Sequence, residues 1–413
     1  MSISPDPPTQ SKKPVIVYIG GCNVTQGGAE RTHTQGIVNY LRKHADLYFI
    51  GGYDAGSQPV AVGLLPSREW FLPVSRGLIG KIRHELNVVA LVERIIRETG
   101  CRVDFIYCRY RLLAMLSGVR LARRGMPQFI EYNDSATVQL QWGARSGLWR
   151  GPGKWLRSNP LTIALIRWTE AVLFRRAAGV IAITAPLRDY VRSLAPEVPV
   201  VAIGNGSDPM SVRPLDKTES RRQLGLDPEG RYFVHVGTLT CWDGLDRVLE
   251  AWAELDDHQS PARHLLIVGK GHDEEHLQRL AADLRITSVT FVGELTRSQA
   301  LTYLGAADVG LLLKTIDEYG LSPIKLYEYM AAGRPIIASD IDDINIVGDL
   351  GIGATVPMPL EREALKETIR RFLSMSAEQL DAMGQRARDI LCERFTWDKR
   401  GDQILGWVHE NLP

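Results

Sequence analysis

The chain has no run of about 18 uncharged apolar residues, the length a helix needs to cross a bilayer. Its best apolar stretch, LTIALIRWTEAVLFRR, is interrupted by Arg167 and Glu170 and reads as an amphipathic helix. Net charge is also missing: 49 Lys and Arg against 48 Asp and Glu leave +1. No global field therefore draws the chain to nucleic acid or anionic lipid, and any such attraction must be local. The five cysteines, Cys22, Cys101, Cys108, Cys241 and Cys392, form no C-x-x-C pair and no metal-ligand spacing. Their odd number reads as free thiols in a reducing compartment, and neither a disulfide framework nor a bound metal is expected. The leading MSISPDPPTQSKKP lacks an apolar core and reads as a disordered lead-in, not a signal peptide. The expectation is a soluble, cytoplasmic protein.

What the sequence does contain is alternation. Short branched-apolar runs alternate with helix-length segments, the pattern of parallel α/β layers. In the first half VIVYI, DLYFI, VDFIYC, QFIEY, GVIAIT and VPVVAI read as strands, with helices such as AERTHTQGIVNYLRKH between them. The Gly-, Pro- and Ser-rich stretch from Tyr53 to Gly80 reads as a long loop or small insertion. At IGNGSDPMSVRP the rhythm stops, so Gly204 to about Leu226 is read as an interdomain connection. A second series follows: YFVHVG, HLLIVG, SVTFVG, DVGLLL and PIIAS. Three of those runs end in glycine, and tight turns at carboxyl ends of strands are where open α/β sheets place ligands. Two such sheets facing a cleft is the expected architecture. The final ERFTWDKRGDQILGWVHENLP reads as an amphipathic helix returning to the first domain.

The stretch GLSPIKLYEYMAAGRPIIAS, Gly320 to Ser339, reads as one short helix feeding a strand. Ser322 is expected as its N-cap and Pro323 as its first residue, where a missing N–H does no harm. Gly333 fits the position just past its end. Such a helix begins beside the carboxyl end of DVGLLL, and its first amides carry partial positive charge. That arrangement suits a diphosphate. Lys325 adds a full charge on the first turn, and Glu328 shares its face three residues on. A carboxylate repels phosphate, but it accepts two hydrogen bonds from the vicinal hydroxyls of a ribose. The pair therefore describes a nucleotide. The competing reading is an exposed Lys–Glu pair of small energetic worth.

These motifs occur in an ordered set. YFVHVGTLTCWDGLDRVLEAWAEL, HLLIVGKGHDEEHLQRLAADL, VTFVGELTRSQALTYLGAADVGLLL and SPIKLYEYMAAGRPIIAS resemble the carboxyl half of glycosyltransferase family 4, retaining enzymes of the GT-B fold. GGAERTHTQGIVNYLRKHADLYFI, IEYNDS, RRAAGVIAITAPLRDYV, VVAIGNGSD and FTWDKRGDQIL are similar to the other segments of that family. The resemblance covers the chain from about Val15 onward. It implies two Rossmann-like domains, 15–204 for the acceptor and 205–394 for the donor, with a helix at 395–413 crossing back. It also implies a nucleotide-diphosphate sugar donor of UDP or GDP type, a glycan or lipid-linked acceptor, and a role in surface polysaccharide or glycolipid assembly. Carried onto this sequence, Glu328 holds the donor ribose, and the backbone of Val292 and Gly293 meets the base. Gly27 and Gly28 approach the phosphates, where the lack of a Cβ allows close contact. Ser322, Ile324, Lys325 and Thr238 complete the expected donor site. Asp134, with Glu131 and Asn133 of IEYNDS, is a candidate for orienting donor sugar or acceptor. Asp134 is also the candidate helper base, although an Asp at that place reads more readily as a turn or N-cap residue.

The sequence departs from the family at three places. The first glutamate of the family's pair falls on Gly320, with Glu318 nearby, and the phosphate-binding Arg and Lys fall on Thr238 and Asp243. An Asp there repels a diphosphate unless it turns away or meets a metal. These departures support an alternative, a GT-B pseudo-enzyme acting as a nucleotide-binding or scaffold subunit; a nucleotide-sugar epimerase is a third reading. An NAD dehydrogenase is disfavoured, because GGCNVTQGGAE lacks the G-x-G-x-x-G spacing. QWGARSGLWRGPGKWLR, residues 141–157, carries Trp142, Trp149 and Trp155 among four cations and no acid. It is a candidate for peripheral contact with a membrane surface; the plain reading is a loop whose tryptophans pack on the domain.

Overall fold

The computed structural model describes residues 13–21, 28–54, 58–75, 77–137, 140, 159–255, 263–315 and 322–413. Gly27, Glu318, Gly320 and the 141–157 stretch lie outside them. Among the described residues the first half forms strands β1 (Val15–Ile19), β2 (Asp46–Asp54), β3 (Glu69–Val74), β4 (Phe105–Arg109), β5 (Gln128–Tyr132), β6 (Gly179–Ala182) and β7 (Val200–Ala202). Around them lie helices α1 (Ala29–His44), α2 (Leu78–Thr99), α3 (Met115–Ala122), α4 (Pro160–Phe174) and α5 (Ala185–Leu194). The second half contributes β8 (Arg231–Val236), β9 (Arg263–Val268), β10 (Val289–Gly293), β11 (Val309–Leu312), β12 (Ile336–Ser339) and β13 (Gly353–Val356). Its helices are α6 (Lys217–Leu224), α7 (Leu245–Ala253), α8 (Glu274–Asp283), α9 (Arg297–Ala306), α10 (Ile324–Ala331), α11 (Ile346–Asp349), α12 (Arg362–Ser374) and α13 (Ala377–Ile390), followed by α14 (Trp397–Glu410).

The strands form two all-parallel sheets, ordered β3-β2-β1-β4-β5-β6-β7 and β10-β9-β8-β11-β12-β13. Parallel strands are covered by helices on both faces, which is why their sequences are near-continuous apolar runs. In β1, Ile16 and Tyr18 pack with residues of α1 and α14, while Val15, Val17 and Ile19 pack with residues of α2. In β8, Phe233 joins the core under α7 and α12, and Tyr232 and Val234 join the core under α10. Each fully buried aliphatic or aromatic side chain contributes roughly 1.5–3 kcal/mol. In both sheets the strand order reverses direction once, between β1 and β4 and between β8 and β11. Ligands of open α/β sheets lie outside the carboxyl ends of strands at such points.

Three elements differ from the sequence expectation. β3 lies inside the stretch read as a loop; it is an edge strand, so its Pro73 removes no hydrogen bond the sheet needs. α6 lies inside the interdomain connection, started by Asp216, whose side chain accepts from the Glu219 N–H, and ended by left-handed Gly225. β13, GATV, is too short and too poor in large apolar residues to stand out.

α14 packs on the first domain. The Tyr40 hydroxyl donates to Asp402 at 2.6 Å, and Gly36 of α1 leaves room for the Trp397 indole, which a Cβ there would meet at 2.4 Å. The chain leaves the first domain and returns to it along one path. The Ser207 N–H donates to the Phe395 carbonyl at 3.2 Å, and the Trp397 N–H donates to the Ser207 carbonyl at 3.2 Å.

Candidate active site

The carboxyl ends of β8 and β11 and the start of α10 meet at the switch point of the second sheet. α10 ends as its sequence demands: Gly333 is left-handed at φ 66°, the Arg334 N–H donates to the Tyr329 carbonyl at 3.0 Å, and the Gly333 N–H to that of Met330 at 3.0 Å. Its start differs from expectation. The helix is capped at Pro323 with no side-chain bond, and Ser322 is not the N-cap. The Ser322 hydroxyl instead accepts from the Asn205 N–H at 2.9 Å and lies 3.2 Å from the Tyr327 hydroxyl. Ser322 is thus committed to the connection between domains. Ile324 is buried on the first turn of α10.

Lys325 reaches back over the end of β8. Its ammonium lies 2.9 Å from where a Cβ on Gly237 would stand, so the glycine makes the room. The ammonium is 3.5 Å from the Asp243 carboxylate and 3.3 Å from His235 Nε2. The same Asp243 oxygen accepts from Lys314, which closely follows β11. The other Asp243 oxygen accepts the Thr240 N–H at 3.0 Å and the Thr240 hydroxyl. Burial resists ionisation of Asp243, but Lys325 and Lys314 hold its carboxyl well below the usual carboxylate range. Burial also lowers the Lys325 pKa to about 8, against the pull of Asp243. His235 is pushed well below the ordinary histidine value by burial and by Lys325, so it is neutral. Among the described residues, two ammoniums and one carboxylate in contact leave this buried group with a surplus positive charge. Asp243, expected to repel a diphosphate, is neutralised where it stands.

Glu328 lies one turn further along α10, in an ion pair with Arg297 on the first turn of α9 at 2.7 Å. Arg297 also donates to the Thr32 hydroxyl of α1 at 3.2 Å, crossing the cleft. Val292 and Gly293 close β10 nearby in sequence; Gly293 has φ 82°, and its carbonyl accepts from the Gly269 N–H at 2.8 Å. Thr238 is exposed on the loop after β8, and Gly28 is exposed with φ 108° at the start of α1.

Across the cleft, the switch point of the first sheet opens into a pocket of about 460 Å³ lined by Gly21, Lys81, His84, Arg109, Asn133 and Asp134, among others. Asp134 has an open side, while burial of its carboxyl raises its pKa to about 6 against the pull of Arg109. Glu131 behaves otherwise. Strand alternation turns it inward, and it is 1% exposed, bound to His33 Nε2 at 2.6 Å with Arg109 at 3.8 Å. Its pKa falls to about 2, because His33 and Arg109 outweigh burial. Glu131 is therefore not a cleft residue. His33 Nδ1 lies 2.5 Å from Asn205 Oδ1, and Asn205 Nδ2 donates to the Ser322 carbonyl. This chain of contacts ties β5 through α1 to the start of α10. Lys314, His235, Arg297 and His33 are the additions sequence reasoning missed. Only Lys314 carried a local signal, a cation directly after the buried run DVGLLL. Among the described residues no cluster could hold a metal and no helix is long and apolar enough to cross a membrane.

Residues 30–206 match the family described as glycosyl transferase 4-like domain, and residues 216–390 match glycosyl transferases group 1. Alpha-D-kanosaminyltransferase of Streptomyces kanamyceticus is 25% identical over 272 residues, 62% of this chain and 68% of that protein. The chain spans about half the length of the other curated relatives it matches, among them D-inositol 3-phosphate glycosyltransferase of Mycobacterium leprae, 26% identical over 48% of this chain and 46% of its own. Among solved structures, sucrose-phosphate synthase from Thermosynechococcus elongatus superposes with TM-score 0.72 at 18% identity, over 96% of this chain and 99% of that one. Anabaena Alr3699/HepE in complex with UDP and glucose gives 0.69 at 17% identity, over 96% and 100%. With two parallel-sheet domains and a family match on each half, the chain belongs to the glycosyl transferases group 1 family of glycosyltransferases, built on the GT-B fold.

Proposed function

We propose that this chain moves a sugar, with retention, from a UDP- or GDP-type sugar to a glycan or lipid-linked acceptor in surface polysaccharide or glycolipid assembly. The observation that carries the reading is the surplus positive charge buried at the β8–β11 switch point, beside the amino end of α10. The donor diphosphate meets Lys325 and the first amides of α10, and its ribose takes the Glu328 carboxylate. The backbone of Val292 and Gly293 faces the base, and Gly28 and Thr238 border the phosphates. In the transfer, the bond from the anomeric carbon to the diphosphate oxygen breaks and leaves its electron pair on that oxygen. Fixed donors aimed at the growing charge supply the largest catalytic contribution, on the order of several kcal/mol. The acceptor hydroxyl bonds to the anomeric carbon, and its proton passes to the departing phosphate. The first-domain pocket receives the acceptor, with Asn133 and Asp134 orienting it. Anabaena Alr3699/HepE, of the same fold, binds UDP, which agrees with a uridine donor for this chain.

Incubation with UDP- and GDP-sugars, with nucleoside diphosphate release as the readout, tests the proposal. Release with any donor supports an enzyme. A chain that binds UDP or GDP but never releases them from sugars is the scaffold subunit. A lipid-linked acceptor would bring the chain to a membrane surface, with residues 141–157 as the contact. Co-sedimentation with anionic liposomes at low salt supports that placement, and its absence removes it.

A further inference from the structure

Asp243 occupies the place where the resembling family carries a phosphate-binding lysine, and a lysine instead follows β11. The two side chains meet although they are 71 residues apart, because β8 and β11 are neighbours in the sheet. Lys314 is fixed at its backbone: its N–H donates to the Ser339 hydroxyl at 2.7 Å, and that hydroxyl donates to the Lys314 carbonyl at 2.8 Å. Its side chain is 10% exposed and that of Asp243 is 1% exposed. A lysine present only to neutralise Asp243 would be a poor solution. One cation, Lys325, already stands within 3.5 Å of the carboxylate, and Thr240 satisfies its other oxygen. An aspartate with a single buried lysine balances; an aspartate with two leaves one charge unanswered among the described residues, in a medium that penalises unpaired charge. Among the described residues neither lysine pairs with a second carboxylate, so the second lysine at the ligand-binding end of the sheet suits an anion from outside the chain.

We propose that Lys314 is the second cation of the donor diphosphate site, moved from the loop after β8 to the end of β11, with Asp243 as the residue that positions it. This inference rests on the donor reading above. Lys325 and Lys314 flank Asp243 from two elements that converge on the switch point, so both ammoniums face a diphosphate lying along the first turn of α10. The exchange also explains how the chain tolerates an acid at position 243.

The test measures affinity for UDP and GDP against UMP and GMP, in wild type, Lys314→Met, Lys314→Arg and the double variant Lys314→Met/Asp243→Asn. Thermal unfolding of each variant serves as the folding control. Lys314→Met is expected to weaken diphosphate binding at least tenfold while changing monophosphate binding less than threefold, and Lys314→Arg is expected to retain most of the preference. The double variant decides between the two roles, since it removes the acid along with the lysine and leaves no unpaired carboxylate. If Lys314 acts on the diphosphate, the double variant stays at least fivefold weaker for UDP and GDP than wild type. Wild-type affinity in the double variant would overturn the inference, reducing Lys314 to a counter-ion for Asp243 while the donor reading stands. Failure of the wild-type protein to bind UDP or GDP at millimolar concentration overturns the donor reading, and the inference with it.

Discussion

Replacing Glu328 by alanine removes the carboxylate assigned to the ribose, and the structure sets the size of the loss. A carboxylate that accepts both vicinal hydroxyls makes two charge-assisted hydrogen bonds, each about 1.5–3 kcal/mol. That carboxylate is not idle, because Arg297 holds it at 2.7 Å and a ribose would have to displace the guanidinium. The Arg297 side chain is 49% exposed, so this pair returns only about 0–1 kcal/mol. The net loss is about 3 kcal/mol, a roughly 100-fold weaker affinity for UDP or GDP. The same competition sets an opposite sign for the partner: Arg297→Ala frees the carboxylate and should tighten UDP or GDP binding by about twofold to fivefold. Isothermal titration of both variants reads the two effects directly. A Glu328→Ala protein that binds within threefold of wild type would refute the ribose assignment, and a weaker Arg297→Ala protein would refute the competition.

Lys325 has a pKa lowered by burial to about 8, and a bound diphosphate favours its protonated form. UDP affinity should therefore fall as pH rises above about 8, and Lys325→Arg should flatten that profile between about pH 7 and 9.5; an unchanged wild-type slope in the variant contradicts the assignment. The depressed value also means that the unfolded chain binds the extra proton between about 8 and the ordinary lysine value, so stability contributed through Lys325 rises with pH in that window. Glu170 accepts from the hydroxyls of Tyr110 at 2.9 Å, Tyr132 at 3.0 Å and Tyr190 at 2.6 Å. Glu170→Ala removes an acceptor that the three phenols share and should cost about 2–4 kcal/mol in urea unfolding, whereas a loss under about 0.5 kcal/mol would show the cluster to be idle. Gly36→Leu drives a side chain into the Trp397 indole and should undock α14, seen as a red shift in tryptophan emission and a loss of about 1–3 kcal/mol; unchanged emission would contradict the packing.

Most of the architecture was legible because parallel strands, buried on both faces, write themselves as short apolar runs. The exceptions share one cause, a weak local signal. EWFLPV at β3 contains a proline that only an edge strand tolerates, and GATV at β13 is short and built of small residues. α6 was hidden in a polar connection where only its cap residues mark it. The site was less legible than the fold. Sequence spacing shows Lys325 and Glu328 together on one helix face, but it does not show that Asp243 lies between two lysines, because strand pairing brings that contact together. Nor does spacing show that Glu131 turns inward to His33, since both faces of a strand buried on both sides look alike in sequence. Ser322 reads as a cap from its neighbours, but its hydroxyl is taken by Asn205, which is far away in sequence and adjacent in space.

A crystal structure with UDP or GDP soaked in at millimolar concentration tests the central claim most directly. The diphosphate is expected against the first turn of α10, near Lys325, with the ribose hydroxyls on Glu328 and Arg297 swung off it. A nucleotide bound elsewhere, or no nucleotide with the Arg297–Glu328 pair still closed, would contradict it.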